Sequence, residues 1–315
     1  MFKTELLSSF LNLKKMKPFI KWVGGKTQIL PEVLALFPKD INNYYEPFLG
    51  GGSVLLGLLT SQKAGQIKIT GEIYASDLNQ TLIGLFKNVQ TQPVELIKSI
   101  KRIIGQYESA TGTVVNRTPA TLTDALTSKE SFYYFIRQKF NALLDHEKNT
   151  FEASAMFLFM NKTCFRGMYR EGPNGFNVPF GNYKNPSIID EEHILEVSRL
   201  IQSVIFRHQS YQDAVATVSA GDFVYVDPPY APKNVTSFVG YNSDGFKLEN
   251  HKHLFDECSA MKSKKARFLM SNADVPLVKE AFPVPSYCVS IISCKRSINS
   301  KNPSARENEV LITNM

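Results

Sequence analysis

Four apolar residues followed by an acid, two prolines and an aromatic, Phe223-Val-Tyr-Val-Asp227-Pro-Pro-Tyr230, form the segment of this chain best equipped for chemistry. The apolar run predicts a strand. Two consecutive prolines cannot donate ladder hydrogen bonds, so they predict that the strand stops there. The Asp227 carboxylate is then left at the carboxyl edge of a sheet, where α/β proteins bind ligands. An exocyclic amine would find two acceptors here, the Asp227 carboxylate and the Pro228 carbonyl, and a flat face in the Tyr230 ring. With both N–H groups engaged, the nitrogen lone pair is directed toward an electrophile instead of conjugating with its own ring. Such a seat suits N-methylation of a nucleobase and makes Asp227, Pro228, Pro229 and Tyr230 the candidate catalytic residues; a plain proline-rich strand exit is the alternative.

A second candidate is Glu46-Pro-Phe-Leu-Gly-Gly-Gly-Ser53, between a short extended segment and an apolar helical run. Glycines in that place let the backbone approach a ligand at a helix N-terminus. The last glycine of a dinucleotide G-x-G-x-x-G fingerprint is replaced by Leu55, so that motif fails. Ile73 to Ser76 reads as a strand ending in Asp77, 25 residues after Gly52. An acid at the end of the second strand is placed to bind ribose hydroxyls, which points to a nucleoside without a pyrophosphate. Lys21-Trp-Val-Gly-Gly-Lys26 looks like the end of a P-loop, but the glycine which that motif needs at position 20 is Ile20. Trp22, the only tryptophan, suits a core position as well as a ligand site.

These segments need a frame to hold them. Short β-rich runs at Ile73 to Ser76, Phe223 to Val226, Arg267 to Met270, Tyr287 to Ile292 and Val310 to Thr313 alternate with helical patterns, the signature of an α/β sheet covered on both faces. No clear strand falls between about Asn79 and Asp190, and Ser131 to Leu144 places Phe132, Phe135, Ile136, Phe140, Leu143 and Leu144 at helical spacing. The middle of the chain therefore reads as a mostly helical insert. Within it, the Thr- and Ser-rich stretch Ser109 to Ser131 reads as an exposed loop.

Composition narrows the class. The longest apolar runs, such as Ala155 to Met160, fall far short of the ~20 residues of a membrane span. The N-terminal residues lack a signal-peptide pattern. Cys164, Cys258, Cys288 and Cys294 have neither C-x-x-C spacing nor a nearby histidine partner, so we read them as reduced thiols of an intracellular, cytoplasmic protein and expect no metal. The formal net charge is +7, unevenly placed: residues 1–26 hold six Lys and one Glu, and residues 262–306 hold nine Lys or Arg and two acids. Clusters of this kind mark a candidate polyanion surface as readily as a solvated face.

Together, Lys21-Trp-Val-Gly-Gly-Lys26, Glu46-Pro-Phe-Leu-Gly-Gly-Gly-Ser53, Asp77-Leu-Asn79, Asn161-Lys-Thr-Cys-Phe-Arg-Gly-Met-Tyr-Arg170, Gly175-Phe-Asn-Val-Pro-Phe-Gly-Asn-Tyr-Lys184 and Asp227-Pro-Pro-Tyr230 resemble, in this order, the Dam-type family of DNA adenine-N6 methyltransferases. The resemblance runs from about Pro18 to Asn314. It implies an α/β fold in which a Rossmann-like S-adenosylmethionine-dependent methyltransferase domain (17–80 and 191–315) carries an inserted, mainly helical target-recognition domain (81–190) after an N-terminal extension (1–16). It implies S-adenosylmethionine as cofactor, S-adenosylhomocysteine as product and no metal. The cofactor pocket would be lined by Trp22, Gly25, Lys26, Glu46, Pro47, Phe48, Gly50, Gly52, Ser53, Asp77 and Asp227.

Double-stranded DNA is the implied partner. Lys21 and Arg170 match positions that contact the outer base pair of a four-base site, Phe165 an aromatic that enters the stack, and Pro179 a residue near the methyl-bearing base. Arg166 and Lys184 belong to the same DNA-binding segment, and Lys295 with Arg296 to a phosphate-contacting rim. GATC-specific members carry Asn where this chain has Arg166, so CATG or another four-base palindrome stands beside GATC. A cognate restriction endonuclease and a monomer or weak dimer are compatible with the family. The competing readings are a methyltransferase of the same fold acting on RNA or protein, and an inactive DNA-binding relative.

Overall fold

A seven-stranded sheet lies behind the candidate residues. Its strands are β1 (Tyr44–Glu46), β2 (Ile73–Asp77), β3 (Val204–His208), β4 (Phe223–Val226), β5 (Arg267–Ala273), β6 (Cys288–Lys295) and β7 (Arg306–Thr313), in the order β6-β7-β5-β4-β1-β2-β3. The computed structural model describes residues 16–232, 245–295 and 306–315, with side chains at all of these except 295, 306 and 307. Strands β3, β2, β1, β4 and β5 pair in parallel, and β7 runs antiparallel to both β5 and β6. Chain order reverses between β1 and β4, the place where an open α/β sheet leaves a crevice at its carboxyl edge.

Strand β4 shows why the sheet is central. Phe223 and Tyr225 point into one core cluster and Val224 and Val226 into the other, as the two-residue period of a strand requires. All four are buried, so both faces of the sheet are covered. One cluster joins the strands to the helices Ser53–Lys63, Gln80–Thr91, Pro93–Ser109, Lys129–Asn141 and Phe151–Thr163 through Leu55, Phe86, Ile100, Phe132, Phe140 and Phe157. The buried side chains of the insert thus continue the core of the sheet face on which they lie. The second cluster packs Leu254, Phe255 and Cys258, from the helix Leu248–Ser263, on Phe268, Met270 and Phe282.

The expected strands are present, with β5, β6 and β7 extending beyond the apolar runs that announced them. Strand β3 was not anticipated. Its sequence, Val-Ile-Phe-Arg-His, turns polar at the end, because as an edge strand it covers one neighbour and leaves Arg207 and His208 exposed. The strand-poor middle holds one exception, the two-residue strands Glu171–Gly172 and Gly175–Phe176, paired antiparallel. The expected helix from Ser131 begins two residues earlier, capped by Ser128, whose hydroxyl accepts the Ser131 N–H. It stops at Asn141, and Leu144 is exposed. The loop from Ser109 is mostly exposed but contains the short helix Leu122–Ala125 with a Thr121/Asp124 capping box. Among the described residues no helix is long and apolar enough to cross a membrane.

Candidate active site

Strands β4, β1 and β2 are neighbours, so the residues that end them, Asp227, Glu46 and Asp77, sit along one edge. The short 3-10 turn Lys26–Gln28 brings a cation to this edge. The Lys26 backbone N–H donates to Ser53 Oγ (3.1 Å), while its Nζ reaches Asp227 Oδ2 at 2.7 Å and the Gly24 carbonyl at 2.8 Å. The same ammonium lies 5.0 Å from the centre of the Tyr230 ring. Tyr230 in turn donates its hydroxyl to Glu309 Oε2 (2.7 Å), on β7. One buried lysine is thereby set beside a carboxylate and an aromatic face whose hydroxyl is bound by a second carboxylate. Burial pushes the Asp227 carboxyl up, the Lys26 charge and hydrogen bond pull it back, and Glu309 adds to the upward push. Pro228 is buried behind the turn and Pro229 exposed on it.

Glu46 is 3% exposed and accepts the Tyr44 hydroxyl at 2.7 Å. Burial raises its carboxyl to about 8; the Tyr44 hydrogen bond lowers it and the Asp227 charge raises it further. With its carboxyl at about 8, this acid is mostly protonated at neutral pH. The glycine turn follows directly. Gly50 donates its N–H to Asp77 Oδ2 (3.0 Å) and Asn79 its own to Oδ1 (2.9 Å), so that Asp77, raised by burial, is partly restored by these donors. Gly50 has φ of +50°, and a Cβ there would stand 2.9 Å from Trp22 Cδ1, so no other residue fits this position without moving the indole. Phe48, half-buried, stacks on Tyr211 at 5.5 Å and meets Phe246 edge-on at 5.9 Å.

These features fit a sulfonium nucleoside. Asp77 offers acceptors for ribose hydroxyls, Phe48 a ring face, Glu46 a carboxyl that ionises beside positive charge, and the turn at Gly50 an approach for the backbone. Trp22, Gly25, Lys26, Pro47, Gly52 and Ser53 surround the same turn: Gly25 lies against the Trp22 carbonyl, and Lys26 is tied to Ser53. Among the described residues no group of three or more His, Cys, Asp or Glu is arranged to hold a metal.

A second group of expected residues assembles beside Lys21. Asn161, buried at the end of the helix Phe151–Thr163, accepts the Lys21 N–H (2.9 Å) and donates to the carbonyls of Lys21 (2.8 Å) and Gly167 (3.2 Å). The turn that follows displays Phe165, 46% exposed, with the Arg166 guanidinium 5.3 Å above its ring. Arg166 adopts φ of +58° and donates its N–H to the Tyr183 hydroxyl (2.9 Å), and Lys21 Nζ lies 4.7 Å over the Tyr183 ring. Pro179 accepts the Phe165 N–H through its carbonyl at 2.8 Å. Lys21, Phe165, Arg166 and Pro179 thus form one exposed cluster. Arg170 is turned toward Asn177, with Nε 2.7 Å from Oδ1, and Lys184 is exposed next to Tyr183. Arg296 and the side chain of Lys295 lie outside the described residues.

Glu309 escapes a reading of the sequence. It directly precedes the apolar run Val310-Leu-Ile312, which signals a strand, but nothing local ties it to Tyr230, 79 positions away.

Comparison with known proteins identifies the family. A family model for D12 class N6 adenine-specific DNA methyltransferases matches residues 22–296. A type II methyltransferase of Methanocaldococcus jannaschii is 33% identical over 95% of this chain and 99% of its own length. One from Lactococcus lactis subsp. cremoris is 31% identical over 96% and 97%, and the DNA adenine methylase of Escherichia coli K12 is 28% identical over 95% of each chain. The chain that carries these carboxyl-edge acids, the glycine turn and the Asp-Pro-Pro-Tyr segment therefore belongs to the D12 class of S-adenosylmethionine-dependent DNA adenine-N6 methyltransferases.

Proposed function

We propose that the enzyme acts at a four-base palindrome in duplex DNA, of the GATC or CATG type, and rotates the target adenine out of the helix before methylating N6. The observation that carries this reading is the joint placement of Asp227, Lys26 and Tyr230 at the mouth of the β1/β4 crevice. Extrusion of a base costs a few kcal/mol. A new stack on Tyr230 and insertion of Phe165 into the gap offset it, at ~1 to 3 kcal/mol per base–aromatic contact.

Asp227 Oδ2 is taken by Lys26, which leaves Oδ1 for one N6–H, with the Pro228 carbonyl accepting the other. Lys26 pulls this buried carboxyl toward its ionised form against the upward push of burial, which favours its use as an acceptor while the amine is held. When bound by Trp22, Gly25, Lys26, Glu46, Pro47, Phe48, Gly50, Gly52, Ser53 and Asp77, S-adenosylmethionine supplies an electrophilic methyl group. With that methyl group held in line, the N6 lone pair would form the new C–N bond as the S–C bond breaks. The nitrogen then carries one proton too many, and Asp227 Oδ1 is positioned to receive it. Most of the rate comes from holding two reactants in line.

Base readout falls to Lys21, Arg166, Arg170 and Pro179, with Lys184, Lys295 and Arg296 on phosphates. Arginine reads guanine O6 and N7 with ~1 to 3 kcal/mol of discrimination. We assign residues 17–80 and 191–315 to the catalytic domain, since they contain all seven strands of the sheet, and 81–190 to target recognition. Long-read methylome sequencing of DNA from cells expressing the protein should show N6-methyladenine in one short palindromic context. Methylation without a fixed context, or on RNA alone, would overturn the proposal.

A further inference from the structure

We infer that Tyr169 is a positioning residue that couples the cofactor turn to the DNA-contacting turn through Trp22, so that cofactor and duplex each tighten the binding of the other. This rests on the site assignment proposed above.

Trp22 is caught between the two turns. On one side are Gly50 and Gly51, where added Cβ atoms would stand 2.9 Å from Trp22 Cδ1 and 3.0 Å from Trp22 Cβ. On the other side the Tyr169 ring is stacked at 5.6 Å with an interplanar angle of 28°. Tyr169 cannot move freely, because Phe157 meets it edge-on at 5.6 Å and Phe176 lies at 5.7 Å. Its hydroxyl donates to Glu171, and the side chains of Asn79 and Thr81 face it from the start of the helix Gln80–Thr91 that follows Asp77. In sequence Tyr169 stands between the Phe165–Gly167 turn and Arg170.

A separate tie fixes the neighbouring residue. Asn161 holds Lys21 by both its N–H and its carbonyl and holds the Gly167 carbonyl with the same amide. Gly167, at φ of +63°, packs so closely that a Cβ would stand 2.5 Å from Lys21 Cδ. The Lys21-Trp22 pair is therefore held by the recognition segment at both residues, and Trp22 also packs against the cofactor turn at Gly50 and Gly51. Closure of the Gly50 turn on a ligand displaces the indole, the indole displaces Tyr169, and the backbone carries this to Arg170 and Phe165. The reverse path is the same set of contacts, and linkage makes the two effects equal in size.

The chain reports on this directly, since Trp22 is its only tryptophan. Binding of S-adenosylhomocysteine to the full-length protein would be measured by calorimetry with and without saturating duplexes containing GATC or CATG, and Trp22 emission followed in the same titrations. The wild type should bind S-adenosylhomocysteine at least about fivefold more tightly on the preferred duplex, and duplex alone should shift the Trp22 emission. Tyr169→Leu should reduce the factor to about one, and Tyr169→Phe, which keeps the ring, should restore it. A wild-type factor of one, no emission change on adding duplex, or a Tyr169→Leu protein with an undiminished factor would each overturn the inference. If Tyr169→Leu fails to fold, the wild-type emission and the Tyr169→Phe titration still decide. Failure of the site assignment would look different, since the wild type would then bind neither S-adenosylhomocysteine nor duplex.

Discussion

Two aspartates bracket strand β4 and are satisfied in opposite ways. Asp222, at its entry and fully buried, accepts five hydrogen bonds: from the Asn42 side chain, the Asn43 backbone and side chain, and the Ser219 backbone and hydroxyl, at 2.9 to 3.1 Å. Asp227, at its exit, is bound through Oδ2 by Lys26. The entry acid has its acceptor capacity filled by neutral donors from its own surroundings and knits two loops to the amino edge of the sheet. Among the described residues the exit acid has a single cationic partner, Lys26, on Oδ2. On the role proposed for Asp227, the carboxylate committed to structure is saturated, whereas the one committed to chemistry, among the described residues, is not.

Substitution should separate the two most sharply. Asp227→Asn is expected to lower the single-turnover methyl-transfer rate by roughly 10²- to 10³-fold or more, the scale for removing a group aimed at the reacting centre, with little change in thermal stability. Retained activity would contradict the role given to Asp227. Asp222→Ala should do the reverse. It leaves buried donors unmatched and should cost about 3 kcal/mol in urea denaturation, while the rate per folded molecule stays at the wild-type value.

Glu46 sharpens the contrast through pH. Its folded carboxyl sits at about 8, above that of an unfolded glutamic acid, so its contribution to stability is complete in acid and is lost as pH rises through about 8. Between about pH 5 and 8 the wild type should therefore lose stability relative to Glu46→Gln. For the same reason, binding of the cationic cofactor near neutral pH should release a proton, detectable as a buffer-dependent calorimetric heat; uptake or no exchange would separate Glu46 from the cofactor. The smallest effect belongs to Glu309→Gln, which keeps an acceptor for Tyr230 but removes its charge. It should lower kcat about fivefold with the cofactor KM unchanged.

The parts of the molecule legible from sequence were those governed by neighbours along the chain. The Phe223–Val226 strand and its abrupt end follow from four apolar residues and two prolines, and the helix at Lys129–Asn141 from the spacing of Phe132, Phe135, Ile136 and Phe140. Even there the boundary shifted, because Ser128 caps the helix earlier than the apolar pattern begins. Asp227 and Asp77 were visible as strand-ending acids. Their partners were not. Lys26 reaches Asp227, Glu309 reaches Tyr230 and Asn161 reaches Lys21 only because the strand order β7-β5-β4-β1 and the insert's helices bring remote segments together. Periodicity carries no record of that order, and an edge strand such as β3, half polar, carries little record of itself.

The central seam of the sheet also bears on how the chain reaches its fold. Strand β1 pairs with β4, Tyr44 against Phe223, with the entire helical insert lying between them in sequence. Such a pairing must bear the closure of a very long loop before it returns any packing energy, which slows assembly. Until it forms, β1 and β2 can associate with β3 but present an open strand edge on the side awaiting β4, and an open edge invites a neighbouring molecule. Recovery of active enzyme from denaturant should accordingly be set by competition between first-order seam closure and second-order aggregation, rising as protein concentration falls.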